Sequence, residues 1–315
     1  MAELTRSTRT AGPPHLFPGA PDTYRERVRA HGLLSRPADV GPADHACWVY
    51  DDDAAFAEAA RQYLAEGLRH GDRLLCVGDE AVLDAVRRRL GPEPEVADQI
   101  SRGALVFLPV SGAYVATGRL HPAAQLAFYE AATRRAIAEG YRGLRVVAEL
   151  TPVAADLADR GDLLRWEHLA DDFMAGGSGM SAMCGYRRDL LAPNIVADVA
   201  AVHPLASASP DEAPFSVFFD VGRLTLAGTL DAFGADRLSR VLAASHVAGP
   251  VVRIDLGRVE YMDAAGCRAI AAWAQQQERT GVQVYLVGAS RLVRRMWRLL
   301  GFTELTGTSF EDDAS

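Results

Sequence analysis

The 315-residue sequence contains no lysine, and all 33 of its basic side chains are arginine. That absence removes the phosphate-gripping lysine of a nucleotide loop, Schiff-base chemistry and a lysine general base. Cysteine is scarce too. Cys47, Cys76, Cys184 and Cys267 are widely spaced with no Cys-x-x-Cys pair, so they read as buried apolar thiols rather than disulfides. No apolar run approaches membrane-spanning length. The opening stretch MAELTRSTRTAGPPHLFPG lacks the apolar centre of a secretory signal. A cytoplasmic location is expected on these grounds. No GxSxG, HExxH or glycine-rich phosphate loop occurs, so an enzyme is not expected.

What is present is globular: 49% hydrophobic and 23% charged, with room for two domains of ordinary size. The net charge of −8 disfavours general nucleic-acid binding. A lysine-free composition rich in alanine and arginine suggests a GC-rich bacterial genome. Composition divides the chain into a flexible N-terminal extension (1–40, with a short helix over 22–34), a first domain (41–192), a linker rich in Ala, Pro, Ser and acidic residues (193–214), a second domain (215–308) and an acidic tail (309–315). No internal repeat is visible.

In the first domain, strand patterns alternate with helical ones. His45–Tyr50, Arg73–Gly78, Ala104–Val110, Leu144–Leu150 and Met180–Tyr186 read as strands, and 54–68, 80–90, 121–139 and 163–174 as helices. The alternation predicts an α/β fold, a mostly parallel sheet with helices on both faces. Period-2 alternation puts His45, Cys47 and Val49 on one strand face and Trp48 and Tyr50 on the other. If the strands carrying them are neighbours, His45, Cys47 and Cys184 meet as a soft-metal or reactive-thiol set, although their spacing is not that of a zinc motif. An ordered core holding buried cysteines and a hydrogen-bonded histidine is the commoner outcome, so no metal or cofactor is assigned. Glu149, at a carboxyl strand end where ligands of parallel sheets bind, is a candidate as well. Glu167, Tyr50 and Tyr186 complete the candidate ligand-sensing set. Asp51 to Asp53 read as a helix cap rather than a cation site.

The second domain is organised around VVRIDLGRVEYMDAAG, residues 251–266. A buried apolar strand leads through an acidic, glycine-containing turn to a second short apolar piece. Asp263 then caps the helix AAGCRAIAAWAQQQER. The small residues Ala264, Ala265 and Gly266 are expected to leave that helix start open to a partner or an anion. Cys267, Ile270, Ala271 and Ala274 follow the stripe of a helix laid on a sheet, and Trp273 lies off its centre, either a partly exposed anchor or a packed rim residue. Arg291, Arg294, Arg295 and Arg298 are expected on a solvated face that could receive an acidic partner.

Strand, Asp-Leu, then Asp-small-x-Gly opening a helix resembles a STAS domain of the anti-sigma-factor antagonist type. The stretch 224–231, ending in Gly-Thr-Leu-Asp231, the strand 282–287 and the last helix stopping at Gly301-Phe302 agree with it. The resemblance covers residues 215–308. It implies a protein partner, an anti-sigma factor of the serine-kinase type, bound through Asp231, Asp263, Ala264, Ala265, Gly266, Cys267 and Trp273. In that family a Ser or Thr usually follows the capping Asp and is phosphorylated. Here Ala264 stands there, and no hydroxyl residue lies between Met262 and Thr280. The phosphate switch is expected to be missing.

The first domain resembles the MEDS sensory domain over 44–190, on GPADHACWVY, on LAEGL followed by Gly71-Asp72, and on Trp166-Glu167 leading to Met183-Cys184-Gly185-Tyr186. That resemblance implies a degenerate RecA-like core that senses a small molecule. Acidic groups in Gly78-Asp79-Glu80 occupy the place of a phosphate cradle. The expectation is a cytoplasmic regulator with a ligand- or redox-sensing first domain, no nucleic-acid partner and no membrane. The alternatives are a nucleotide-binding or hydrolytic enzyme with an accessory STAS domain, or a passive scaffold.

Overall fold

The computed structural model describes residues 29–91, 94–114, 119–156, 160–220 and 222–311. The first unit runs β1 (Gly32–Leu33), β2 (His45–Tyr50), α1 (Asp53–His70), β3 (Arg73–Gly78), α2 (Glu80–Leu90), α3 (Pro94–Ser101), β4 (Leu105–Pro109), α4 (Val110–Ala113), α5 (Pro122–Ala138), β5 (Leu144–Glu149), α6 (Thr151–Ala155), α7 (Arg160–Ala175), β6 (Met180–Arg187), α8 (Pro193–Ala201) and β7 (Leu205–Ala206). Its seven strands are ordered β1-β7-β2-β6-β5-β3-β4 and every pair is parallel. The second unit comprises β8 (Phe215–Asp220), β9 (Arg223–Leu230), α9 (Ala235–Ala244), β10 (Val251–Met262), α10 (Ala264–Arg279), β11 (Gln283–Val287), α11 (Arg291–Leu299), α12 (Phe302–Leu305) and β12 (Ser309–Glu311). Its sheet runs β12-β11-β10-β9-β8, parallel except for the β8–β9 hairpin.

The sequence motifs of the first unit have steric causes. A Cβ on Gly185 would lie 2.3 Å from Phe56 Cε2, so the glycine of the Cys-Gly-Tyr sequence leaves room for that ring against β6. A Cβ on Gly67 would meet Arg145 Cδ at 2.6 Å. That arginine is fully buried, donating to Tyr63 O and Val40 O and facing Asp72. Gly71 (φ 77°) closes α1 in the left-handed conformation.

Four expectations change. Residues 193–214 are not a free linker: α8 packs on β2 and β8, and β7 inserts into the sheet between β1 and β2. α8 is buried along most of its length, which a run of small apolar residues permits. Within the supposed extension, 29–40 are placed and Gly32–Leu33 form an edge strand instead of a helix end; 22–28 lie outside the described residues. Within the supposed tail, Ser309–Glu311 form β12, and 312–315 lie outside. Finally, β10 is one strand, not two pieces about a turn. Asp255 Oδ1 takes the Gly257 amide at 2.8 Å, and the register shifts twice without breaking the strand.

Helices α1 and α2 cover one face of the first sheet, while α7 and α8 lie between its other face and the second unit, touching β8 and α9. Helix α7 is therefore buried nearly all round, from Leu163 to Met174. Apolar side chains of both units form one continuous core there, from Leu163 and Val199 to Val217 and Leu242. Polar links cross the same junction. Asp171 Oδ2 accepts the Phe219 amide at 2.6 Å and Oδ1 accepts Arg29 Nη2 at 2.6 Å, while Arg29 Nη1 donates to Phe219 O. Arg237 and Arg240 of α9 meet buried Asp198 of α8, and His168 Nε2 lies 3.2 Å from Val241 O.

Two outcomes follow for denaturant unfolding. Asp171→Ala leaves a buried guanidinium and a buried strand amide unpaired, and is expected to lower stability by about 3–5 kcal/mol. Gly185→Ala forces Phe56 from its place and is expected to lower it by about 1–3 kcal/mol through overpacking.

Candidate functional site

Period 2 on β2 and β6 and the i, i+4 spacing on α7 aim a set of polar side chains into one solvent-free layer. Strands β2 and β6 are neighbours, with Cys47 opposite Cys184 in register. Glu167 and Asp171 project from α7 onto that face, and His203 enters from the turn after α8. His45, Glu167, Asp171 and His203 have no exposed surface, and Cys184 and Tyr186 almost none. His45 Nε2 lies 3.2 Å from Glu167 Oε2, and its Nδ1 lies 3.4 Å from Asp171 Oδ1. Cys184 Sγ is 3.6 Å from both His45 Nε2 and Glu167 Oε2. Tyr186 donates to Glu167 Oε1 at 2.5 Å. The rings of His45 and His203 stand 4.0 Å apart.

The electrostatics follow from burial among carboxylates. Burial, then the facing Glu167, push the acids of Cys47, Cys184 and Tyr186 well above their usual range. Burial alone would lower the His45 imidazole, but Asp171 and Glu167 outweigh it and raise it. His203 is pushed down to about 4 by burial and by His45. A reactive thiol needs exposure and a low pKa. Cys47 and Cys184 have neither, which corrects the expectation of a redox-sensing thiol.

Not all the expected residues share this layer. Tyr50 and Glu149 point to the opposite face of the sheet, with Phe56 and Cys76. There Glu149 Oε1 accepts from Tyr50 Oη at 2.9 Å and from the Thr151 amide at 3.0 Å. Glu149 Oε1 is thus held by its own neighbours. Asp52 caps α1 through the Ala55 amide, whereas Asp51 and Asp53 pair with Arg188 and Arg187. Asp79 caps α2 through the Val82 amide, which places a carboxylate on the nitrogen that a phosphate would need. Pattern reasoning missed His203, Asp171 and Arg29. The i, i+4 spacing of Glu167 and Asp171 on one helix was the one available signal for Asp171.

A cleft of ≈ 590 Å³ opens between the two units and reaches His203; His31, Phe215, Thr229, Arg258 and Glu260 also line it.

On the second unit, Asp263 is fully engaged. Its Oδ1 accepts from the amides of Ala265 (2.7 Å) and Gly266 (3.1 Å), and its Oδ2 from Ala232 (2.9 Å). The helix start is therefore not open to an anion. Gly266 is small for another reason, since a Cβ there would lie 2.6 Å from Leu230 O. Cys267 is buried against Met262, and Trp273 is 6% exposed, so neither presents a side chain to a partner. Asp231 Oδ1 caps the following loop through the Gly234 amide. Ala264 and Ala265 are half-buried on the rim. The aromatic groups that do face outward are Phe233, 98% exposed and next in sequence to the Ala232 amide held by Asp263, and Tyr261, 53% exposed. On α11, Arg294 lies over the Phe310 ring and bonds Ala289 O, while Arg291, Arg295 and Arg298 are exposed.

Comparison with known families assigns both units. Residues 44–204 match the family described as MEDS: MEthanogen/methylotroph, DcmR Sensory domain, and residues 218–307 match the family described as Mlab, STAS domain. Comparison with curated proteins gave no match. The first match includes α8 and His203, in keeping with their place in the sheet layer. It spans just over half of the 315 residues. The chain therefore belongs to the MEDS family and carries a STAS domain behind its sensory domain.

Proposed function

We propose that this signalling regulator is an anti-sigma-factor antagonist whose STAS domain binds a kinase-type anti-sigma factor without being switched by phosphorylation. The observation that carries the reading is the exposed rim at the start of α10. Tyr261 and Ala264 flank Asp263 in sequence and Phe233 follows the Ala232 amide that Asp263 holds, and the three hydrogen bonds of Asp263 fix the backbone there. An exposed aromatic on a backbone held beside a preformed helix start is the kind of anchor that dominates binding energy. Ala264 stands where antagonists of this type carry a phosphorylated hydroxyl, so the surface stays competent and control passes to the sensory domain.

The sensory domain has a route for that control. A small molecule entering the cleft would touch both units at once and favour one packing of α7 and α8 over another, and a differential affinity for two arrangements is all that coupling requires. In this reading the protein acts in the cytoplasm without catalysing a reaction. No helix among the described residues is long and apolar enough to cross a membrane, and Asp79 holds the amide that a nucleotide phosphate would take.

Binding of the full chain to candidate anti-sigma factors, measured by titration, tests this. Phe233→Arg is expected to weaken binding by at least tenfold with an unchanged circular dichroism spectrum. Ala264→Ser is expected to become a phosphoacceptor for the bound kinase, while the wild-type STAS domain takes no phosphate. Phosphate transfer to the wild-type STAS domain, or full affinity in Phe233→Arg, would sink the reading.

A further inference from the structure

We propose that His45, Glu167, Cys184 and His203 form a closed, four-ligand site for a zinc-class divalent cation. The nitrogen, oxygen and sulfur donors of these residues all lie within 4.8 Å of one another. Tetrahedral zinc with bonds of about 2.0–2.3 Å sets its ligand atoms about 3.3–3.6 Å apart. The separations here are 3.2 Å for His45 Nε2 to Glu167 Oε2, 3.5 Å for His203 Nε2 to Glu167 Oε2, and 3.6 Å from Cys184 Sγ to each of His45 Nε2 and Glu167 Oε2. Four of the six edges are thus close to the lengths that one central ion would impose, and the two from His203 to His45 and to Cys184 are within 4.8 Å.

The outer partners agree. His203 Nδ1 is 2.7 Å from Val199 O and so carries the proton, leaving a lone pair on Nε2. That nitrogen has no hydrogen-bond partner and faces a carboxylate oxygen, although the residue has no exposed surface. Two buried acceptors facing each other repel, and His203 Nε2 is left without a donor. A cation between them removes both penalties. His45 turns its Nδ1 to Asp171, the carboxylate–histidine arrangement of metal-bound imidazoles, and Tyr186 holds Glu167 Oε1 so that Oε2 faces inward. Glu167 and a Cys184 thiolate together balance a divalent charge, so the centre is neutral where no water reaches it. Binding expels the thiol proton of Cys184 and involves no electron transfer. Two imidazoles, a thiolate and a carboxylate suit zinc better than magnesium or calcium, which take oxygen ligands.

Such an ion would tie β2, β6, α7 and the turn after α8 together. Asp171 joins His45 to the Phe219 amide of the STAS sheet, so the site stands one side chain from the domain junction. The competing arrangement is a metal-free imidazolium of His45 held between Glu167 and Asp171.

The test uses full-length, tag-free protein stripped with a chelator, checked for native circular dichroism and titrated with Co²⁺. One equivalent is expected to bind, with a thiolate-to-cobalt charge-transfer band and the strong visible bands of tetrahedral cobalt, and Zn²⁺ is expected to displace it. Cys184→Ser is expected to lose the charge-transfer band, and His203→Gln to weaken binding at least tenfold. Natively folded wild-type protein without the band at one equivalent would overturn the proposal in favour of the imidazolium. A band that persists in Cys184→Ser would overturn the ligand assignment.

Discussion

The structure depends on how one buried carboxylate, Asp171, is satisfied. Strand β8 is an edge of the STAS sheet, and an edge strand presents unpaired amides and carbonyls. At Phe219 both groups are taken from outside the sheet, the amide by Asp171 and the carbonyl by Arg29. The same Asp171 pairs with Arg29 and faces His45. A fully buried charge is tolerated only when paired and hydrogen-bonded, and this one is satisfied only if the sensory sheet, the N-terminal segment and the STAS edge are all in place. Burial would raise its pKa, yet Arg29 and His45 hold it well below the usual carboxylate range. Domain packing and the state of the histidine cluster are therefore parts of one electrostatic arrangement.

This explains why helix α7 is both apolar and rich in ionisable groups. Its Trp166, Ala170 and Met174 fill the core, while Glu167, His168 and Asp171 reach into the sheet layer or across the junction. Glu167 and Asp171 have no exposed surface, so each needs partners on other elements. Those partners lie on β2, β6, the α8–β7 turn, β8 and the segment before β1. A change at any of them alters the environment of the rest.

The STAS surface obeys a more local logic. Asp263 consumes the amides of its own helix and one from the loop after β9, and Gly266 exists so that Leu230 O can approach. The rim gains rigidity and loses anion affinity. Exposure of Phe233 then follows from geometry: its neighbour's amide is pinned to Asp263, and the ring is left in solvent.

The sequence by itself determined what depends on contacts a few residues long. Period-2 and period-3.6 patterns placed β2, β3, β5, β6, α1, α2, α7 and α10 to within a few residues, and the Asp263 and Asp52 caps were legible because a cap is satisfied within three residues. The absence of lysine excluded whole chemistries. Tertiary structure decided the rest, because strand order and domain packing are set by balancing burial among distant segments. That His45 and Cys184 lie on neighbouring strands, that Glu149 faces away from them, that Trp273 is covered and that His203 belongs to the sensory layer could not be read from periodicity. His203 was hidden in a stretch whose composition reads as linker, since small apolar residues suit a free chain in isolation and a buried helix only when two sheets stand ready to enclose it.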